Sequence, residues 1–288
     1  MALAYPVQRL QDWITQQWVI VFGRKFEKEK YPWLMGPFGS LNIVGENFIQ
    51  QLATKENLTI EKAKPDCGLI NNLEQLDLSK TQREKLSKSV IDFYVNTSNY
   101  SLGLEVTWNP FFKIFGFLLQ FLFSNRLKQL NIPTKSIDDT DSLKSEIINL
   151  INPITKNKKY TFWYRCFKTS GEVIYSGIYG TCVLPSGKTC IKAIFPLPNG
   201  NATVILEPSI GDKGELILKS SGKNIGDSGF YFLLKDAKNK VWTKYIKSFK
   251  DQLIVSEFDE KLKAEQKLTL WGLNVLKFNY LIQKKRPV

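Results

Sequence analysis

The sequence predicts an α+β protein: a large, curved, half-barrel-like antiparallel sheet covered by N-terminal helices. Three observations lead there. Helical periodicity is confined to about residues 1–142, whereas 143–288 reads as one strand after another. Short turn signals separate those strands, the mark of an antiparallel meander. Several strands are apolar on both faces, where a sheet with one wet face would alternate cleanly. The chain has 288 residues, 43% hydrophobic and 13% aromatic, enough for a real core. Both halves are therefore read as one domain over 1–288.

Taken in order, 6–22 begins with Pro6 and puts Val7, Leu10, Trp13, Ile14, Trp18 and Val21 near one helical stripe. Pro6 suits a first helical turn, and Gly23 before Arg24 and Lys25 suits the end. The two tryptophans read as core, with membrane-interface anchoring as the alternative. Residues 31–45 are rich in Pro and Gly and read as a loop. A short helix at about 45–56 and a brief strand at 58–61 follow. Ser79-Lys80-Thr81-Gln82 matches the capping box, in which Ser and Gln side chains satisfy orphan amides. Leu86, Val90, Phe93, Tyr94 and Thr97 then continue a single amphipathic stripe. A strand at 102–108 ends at Asn109-Pro110. The run 111–123 is apolar on nearly all sides, yet shorter than the roughly 20 residues that span a bilayer. It reads as core, lid or membrane contact. Residues 134–142 form a polar connection to the sheet half.

Strands are expected at 143–151, 159–167, 173–184, 188–195, 201–207, 215–221, 229–236, 240–247, 251–259 and 266–282. Pro185-Ser186-Gly187 turns the third into the fourth. Pro196, Pro198, Asn199 and Gly200 make the next turn, and Pro208 stops the strand after it, because Pro lacks a donor and Gly and Asn tolerate positive φ. Both faces of 159–167 and 266–282 are partly apolar. The second face therefore covers something: the sheet itself, curled, or a ligand.

Composition restricts the chemistry. Histidine is absent, which removes Ser-His-Asp and Cys-His catalysis and every histidine-based metal site. The four cysteines form no C-x-x-C pair and match no zinc spacing. Cys182 and Cys190 flank the Pro185 turn. They read as small buried apolar side chains rather than a disulfide, since no secretory signal is visible. The glycine-rich stretch 222–229 lacks the GxxxxGK[ST] pattern and reads as a hairpin loop. No metal, cofactor or catalytic residue is expected. A formal charge of +13 favours anionic partners, although scattered lysines also describe an ordinary solvated surface. The expected location is the cytoplasm, in solution or peripheral to a membrane, with 111–123 as the candidate contact.

The leading functional expectation is non-enzymatic. A curved sheet can enclose one small apolar or amphipathic, lipid-like ligand, with 111–123 as its lid. Arg165, Lys192, Glu207 and Glu105 are ionisable residues inside expected strands, and Phe117 and Phe121 lie on the lid. An Arg fork or a Lys among apolar residues would take an anionic headgroup. The plainer alternative is that these charges sit at strand ends or pair, since long side chains snorkel. A second expectation is nucleic-acid binding by 240–250, KVWTKYIKSFK, which interleaves Lys with aromatics. Strand alternation splits those aromatics between two faces, which weakens a stacking platform. A third is an enzyme using a buried Lys or a carboxylate pair, with Lys192 as the Schiff-base candidate.

The segments YSGIYG, FPLPNGNATVILEP and SSGKNIGDSGFY, with the early LMGPFG and the stretch 97–108, resemble a family of uncharacterised bacterial proteins. The resemblance covers most of the chain. It implies a bacterial protein working near a membrane, either on its own or as the soluble part of a multi-spanning membrane protein. It implies no activity, cofactor or site residue.

Overall fold

The computed structural model describes residues 2–40, 46–62, 65–112, 143–168, 171 and 173–285. Among them the helices are α1 (Leu10–Phe22), α2 (Glu46–Lys55), α3 (Lys80–Lys85) and α4 (Lys88–Val95). The first strands are β1 (Arg24–Lys25), β2 (Thr59–Lys62) and β3 (Tyr100–Trp108). Then come β4 (Leu143–Ile151), β5 (Lys158–Phe167), β6 (Val173–Val183), β7 (Thr189–Leu197), β8 (Gly200–Ile210) and β9 (Leu216–Lys219). The last are β10 (Gly229–Lys235), β11 (Val241–Tyr245), β12 (Phe249–Phe258), β13 (Lys261–Leu270) and β14 (Leu273–Lys284).

These strands form one antiparallel sheet with a main path β2-β4-β5-β6-β7-β8-β9-β12-β13-β14-β3. The sheet forks at β8. Residues 200–205 pair with β10, which leads to β11 and β1, while residues 207–210 pair with β9. Pro208 lies just past the fork, within β8 rather than at its end, and pairs with Leu218. The expectation that it stops the strand is corrected: β8 changes neighbour there, and an irregular point of a ladder tolerates a missing N–H.

The path curls until β3 touches β4, yet the two share no ladder, so the sheet stays open and is not a closed barrel. The curl explains the strands with two apolar faces. The inner face packs on itself and on α4: Leu102, Trp163, Ile191, Leu206, Leu218, Val255, Ala264 and Ile282 share one core with Val90, Phe93 and Tyr94. The outer face of β4 to β7 carries a second core, where Phe48, Ile49, Leu52 and Ala53 of α2 meet Ile148, Leu150, Phe162 and Tyr164. A third lies under residues 26–38, where Trp33 and Leu34 cover Cys190, Ile205 and Tyr231. Cys182 and Cys190 pair across β6 and β7 as buried free thiols.

Three further expectations need correction. The helix opening at Ser79 has its capping box, but it breaks at Leu86, which is extended (φ −67°, ψ 131°). The break lets the Ser87 amide donate to the Gly214 carbonyl at 2.9 Å while Leu86 stays buried. The strand expected over 266–282 is a hairpin, turning on Trp271 (φ 51°) and Gly272 (φ 80°) between Leu270 and Leu273. Two consecutive positive φ values are what a tight two-residue turn requires. Finally, α1 does not turn its apolar stripe inward. Its buried side chains are Asp12, Gln16, Val19 and Ile20, and Trp18 is exposed.

Candidate functional site

The inner face of the curl encloses a cavity of about 80 Å³. Most of its wall is apolar, including Leu102, Phe195, Leu206, Leu218 and Val255, while Phe93 and Tyr94 of α4 close one side. Polar side chains converge on it from several strands, among them Arg165 from β5, Asp251 from β12, Gln266 from β13 and Tyr280 from β14, with Tyr94 of α4 and Tyr179 of β6 also in the lining. Alternation puts them there. On β5, Trp163 and Arg165 point inward, while Phe162 and Tyr164 point out beneath α2.

The polar groups form a connected set. The Gln266 amide donates to both oxygens of the Asp251 carboxyl, at 3.0 and 2.9 Å. The Tyr280 hydroxyl donates to the Gln266 oxygen at 3.3 Å. The Arg165 guanidinium lies 4.3 Å from the centre of the Trp163 ring and 5.5 Å from that of Tyr280. Both are within cation–π range. Trp163 is itself held by a hydrogen bond from its indole to Ser145, at 3.0 Å, and by edge contacts with Phe93 and Tyr179. The Asp251 backbone is tied to Ser220, whose hydroxyl accepts from the Asp251 amide at 2.6 Å.

Burial sets the ionisation here. Asp251 is 6% exposed, and desolvation pushes its carboxyl up to about 7, against the opposing hydrogen bond from Gln266. Tyr280 is raised by burial too, with Arg165 pulling the other way. The site therefore offers a fixed cation, a carboxyl that changes charge near neutrality, and an amide–phenol pair.

The other sequence-selected residues lie elsewhere. Lys192 projects from the opposite face of β7 and donates to the carbonyls of Trp33 and Met35, at 2.9 and 3.0 Å. It pins the 31–38 segment, and burial lowers its pKa. Glu207 pairs with Lys188 on the outer face, and exposed Glu105 accepts from Asn279 at 2.9 Å. Phe117 and Phe121 lie outside the described residues. The aromatics of 240–250 are engaged internally: Trp242 donates to Asp236, Tyr245 donates to the Gly222 carbonyl, and Phe249 packs on Phe230. Among the described residues, no group of three or more Cys, Asp or Glu is placed to hold a metal.

Sequence reasoning found Arg165 and missed Asp251, Gln266 and Tyr280. The usable signal was one acidic residue on the inward register of an apolar strand, Asp251 with Leu253 and Val255. Its meeting with Arg165 depends on the curl, which strand patterning does not encode.

No protein-family model matches the chain, and no solved structure matches it. The sequence is similar to the uncharacterized membrane protein YndJ of Bacillus subtilis (strain 168), with 24% identity over 267 residues. The match takes in 92% of this chain and 46% of the relative, so the chain spans just under half the relative's length. That relative is bacterial and uncharacterised, as the sequence resemblance implied.

Proposed function

We propose that the protein binds one small amphipathic molecule in the cavity of its curled sheet, without catalysis. The observation behind this reading is the convergence of Arg165, Asp251, Gln266 and Tyr280 on an otherwise apolar enclosure. An apolar pocket with a few convergent polar groups is the usual form of a ligand site. In this reading Arg165 takes an anionic head by its planar fork. Gln266 and Tyr280 orient that head, and the apolar wall takes the tail. Size narrows the ligand. A drug-sized ligand needs roughly 300–1,000 Å³, so the 80 Å³ present admits a head and a few carbons. A longer chain enters only if α4 moves outward.

The test is native mass spectrometry of freshly purified full-length chain. The expected result is a co-purifying small molecule that Arg165→Gln loses while its melting temperature stays close to the parent's. A clean unliganded mass, together with no thermal shift from short- or medium-chain carboxylates and alkyl phosphates, overturns it.

We also read the protein as working at a membrane surface. What supports this placement is that the relative is named a membrane protein; no helix among the described residues is long and apolar enough to cross a bilayer. The nucleic-acid and Lys192 enzyme readings gain no comparable support.

A further inference from the structure

Helix α1 is built inside out. At 100° per residue, Leu10, Ile14, Trp18, Val21 and Phe22 fall within one arc of about 120°. All of them are exposed, Leu10 by 70%, Ile14 by 53% and Phe22 by 64%. The opposite arc holds buried Asp12 and Gln16 beside Val19 and Ile20. Gln16 is 1% exposed; its side-chain oxygen accepts from the Tyr5 amide and the Gln8 side chain, and its amide donates to the Pro198 carbonyl. Asp12 and Gln16 thus share the buried side with Val19 and Ile20, while five apolar side chains are left to solvent. An ordinary surface helix does the reverse.

Two neighbours extend this face. Trp18 packs edge-on against Phe232, Phe232 against Phe230, and Phe230 against Phe249, with ring centres 6.2, 5.1 and 5.1 Å apart. This aromatic line runs from α1 across β10 to β12. At the C-terminal end of α1 lies a surface cleft of about 340 Å³ whose lining includes Arg24, Lys244 and Lys247 and no carboxylate. The Lys244 ammonium donates to the Phe22 carbonyl at 2.9 Å and stands 5.1 Å from the Trp18 ring centre and 5.9 Å from that of Phe22, so this cation borders the apolar face directly. The acidic side chain of α1, Asp12, is on the buried side.

We infer that this face is a docking surface for an anionic lipid bilayer. The apolar arc enters the boundary between headgroups and acyl chains, and Arg24, Lys244 and Lys247 meet lipid phosphates. An exposed apolar arc with bordering cations is the pattern of a helix lying in the interface plane. Charge complementarity selects the bilayer over a second copy of the chain, because two such faces would set their cations against each other. The inference rests on the membrane-surface placement proposed above and gives it a surface. It is independent of the cavity.

Full-length protein is sedimented with vesicles of phosphatidylcholine alone and with vesicles containing phosphatidylglycerol, at two salt concentrations. Binding is expected to the anionic vesicles only, to weaken with salt, and to fall at least tenfold in Ile14→Glu and in Phe22→Glu. Both side chains are more than half exposed, so both variants should melt as the parent does. Ile154→Glu, at a site 88% exposed on the β4–β5 turn, should bind as the parent does. A parent that ignores anionic vesicles overturns both the placement and the surface. Binding retained by Ile14→Glu and Phe22→Glu, or lost equally in Ile154→Glu, overturns the surface alone. A parent dimer that Ile14→Glu converts to monomer assigns the face to a second copy instead and overturns the bilayer.

Discussion

Asp251 is a carboxyl that the fold holds away from water, with its side-chain hydrogen bonds coming from Gln266. Its folded pKa near 7 lies above the ordinary value of about 3.9. Between those values the folded state binds more protons than the unfolded one, so stability falls as pH rises. The contribution is fully present below about pH 4 and gone above about pH 7, a span on the order of 4 kcal/mol at 1.36 kcal/mol per unit. Asp251→Asn keeps an acceptor for Gln266 and removes the charge. Urea unfolding from pH 5 to 8 should show parent stability declining by a few kcal/mol and the variant staying nearly flat. Parallel curves would mean that Asp251 ionises freely. This group left one trace in the sequence, an acid on the inward register of an apolar strand. By contrast, Arg165 and Lys192 look alike in sequence, each a cation within a strand, yet they point to opposite sides of the sheet.

At the level of elements, the local code was readable wherever the backbone sets its own rules. The Ser79 capping box and the turns at Pro185 to Gly187 and at Pro198 and Asn199 are local chemistry, and all are present, although Pro196 and Gly200 belong to the strands on either side. The break at Leu86 was not readable, because its cause is the Gly214 carbonyl, far away in the chain. The Trp271-Gly272 turn was hidden because Trp rarely signals positive φ. Two glycines separate local from distant constraint. At Gly272 an added Cβ meets nothing within 4 Å, so only the backbone conformation at φ 80° resists it. At Gly68 the added carbon would lie 2.2 Å from the carbonyl oxygen of Tyr94, where the Leu69 amide also docks on α4. Gly272→Ala should therefore cost about 1–2 kcal/mol. Gly68→Ala should cost roughly 1–3 kcal/mol, as overpacking does, and should loosen the α4 side of the cavity. Chemical denaturation ranks the two, and hydrogen exchange at Leu69 and Tyr94 should rise only in the Gly68 variant. Equal losses would show that the close approach at Gly68 relaxes without strain.

The whole molecule is organised by a pairing that no local pattern announces. Strand β3, from the helical half, joins the sheet through β14, its last strand, from Trp108 opposite Leu276 to Tyr100 opposite Lys284. The helical and sheet halves are thereby tied together at one edge, and β3 meets β4 only by contact across the open seam. Antiparallel strands, an apolar second face and a curved sheet were all legible from alternation. The strand order was not, because alternation says which side chains share a face and nothing about which strands are neighbours. That order has a consequence for folding. Until residues 273–284 are in place, β13 and β3 both lack a neighbour, and the inner core lacks Leu276, Phe278, Tyr280 and Ile282. Each missing side chain of this size forfeits about 1.5–3 kcal/mol of burial. Four of them exceed or match most of the 5–15 kcal/mol that holds a typical domain together. A chain ending at Gly272 should thus retain strand content by far-ultraviolet circular dichroism but lose its cooperative thermal transition. It should also bind a hydrophobic dye on the uncovered inner face. A truncated chain that melts cooperatively near the parent's midpoint would show that the curl is stable without its last strand, and that β3 holds its place through the contact with β4 alone.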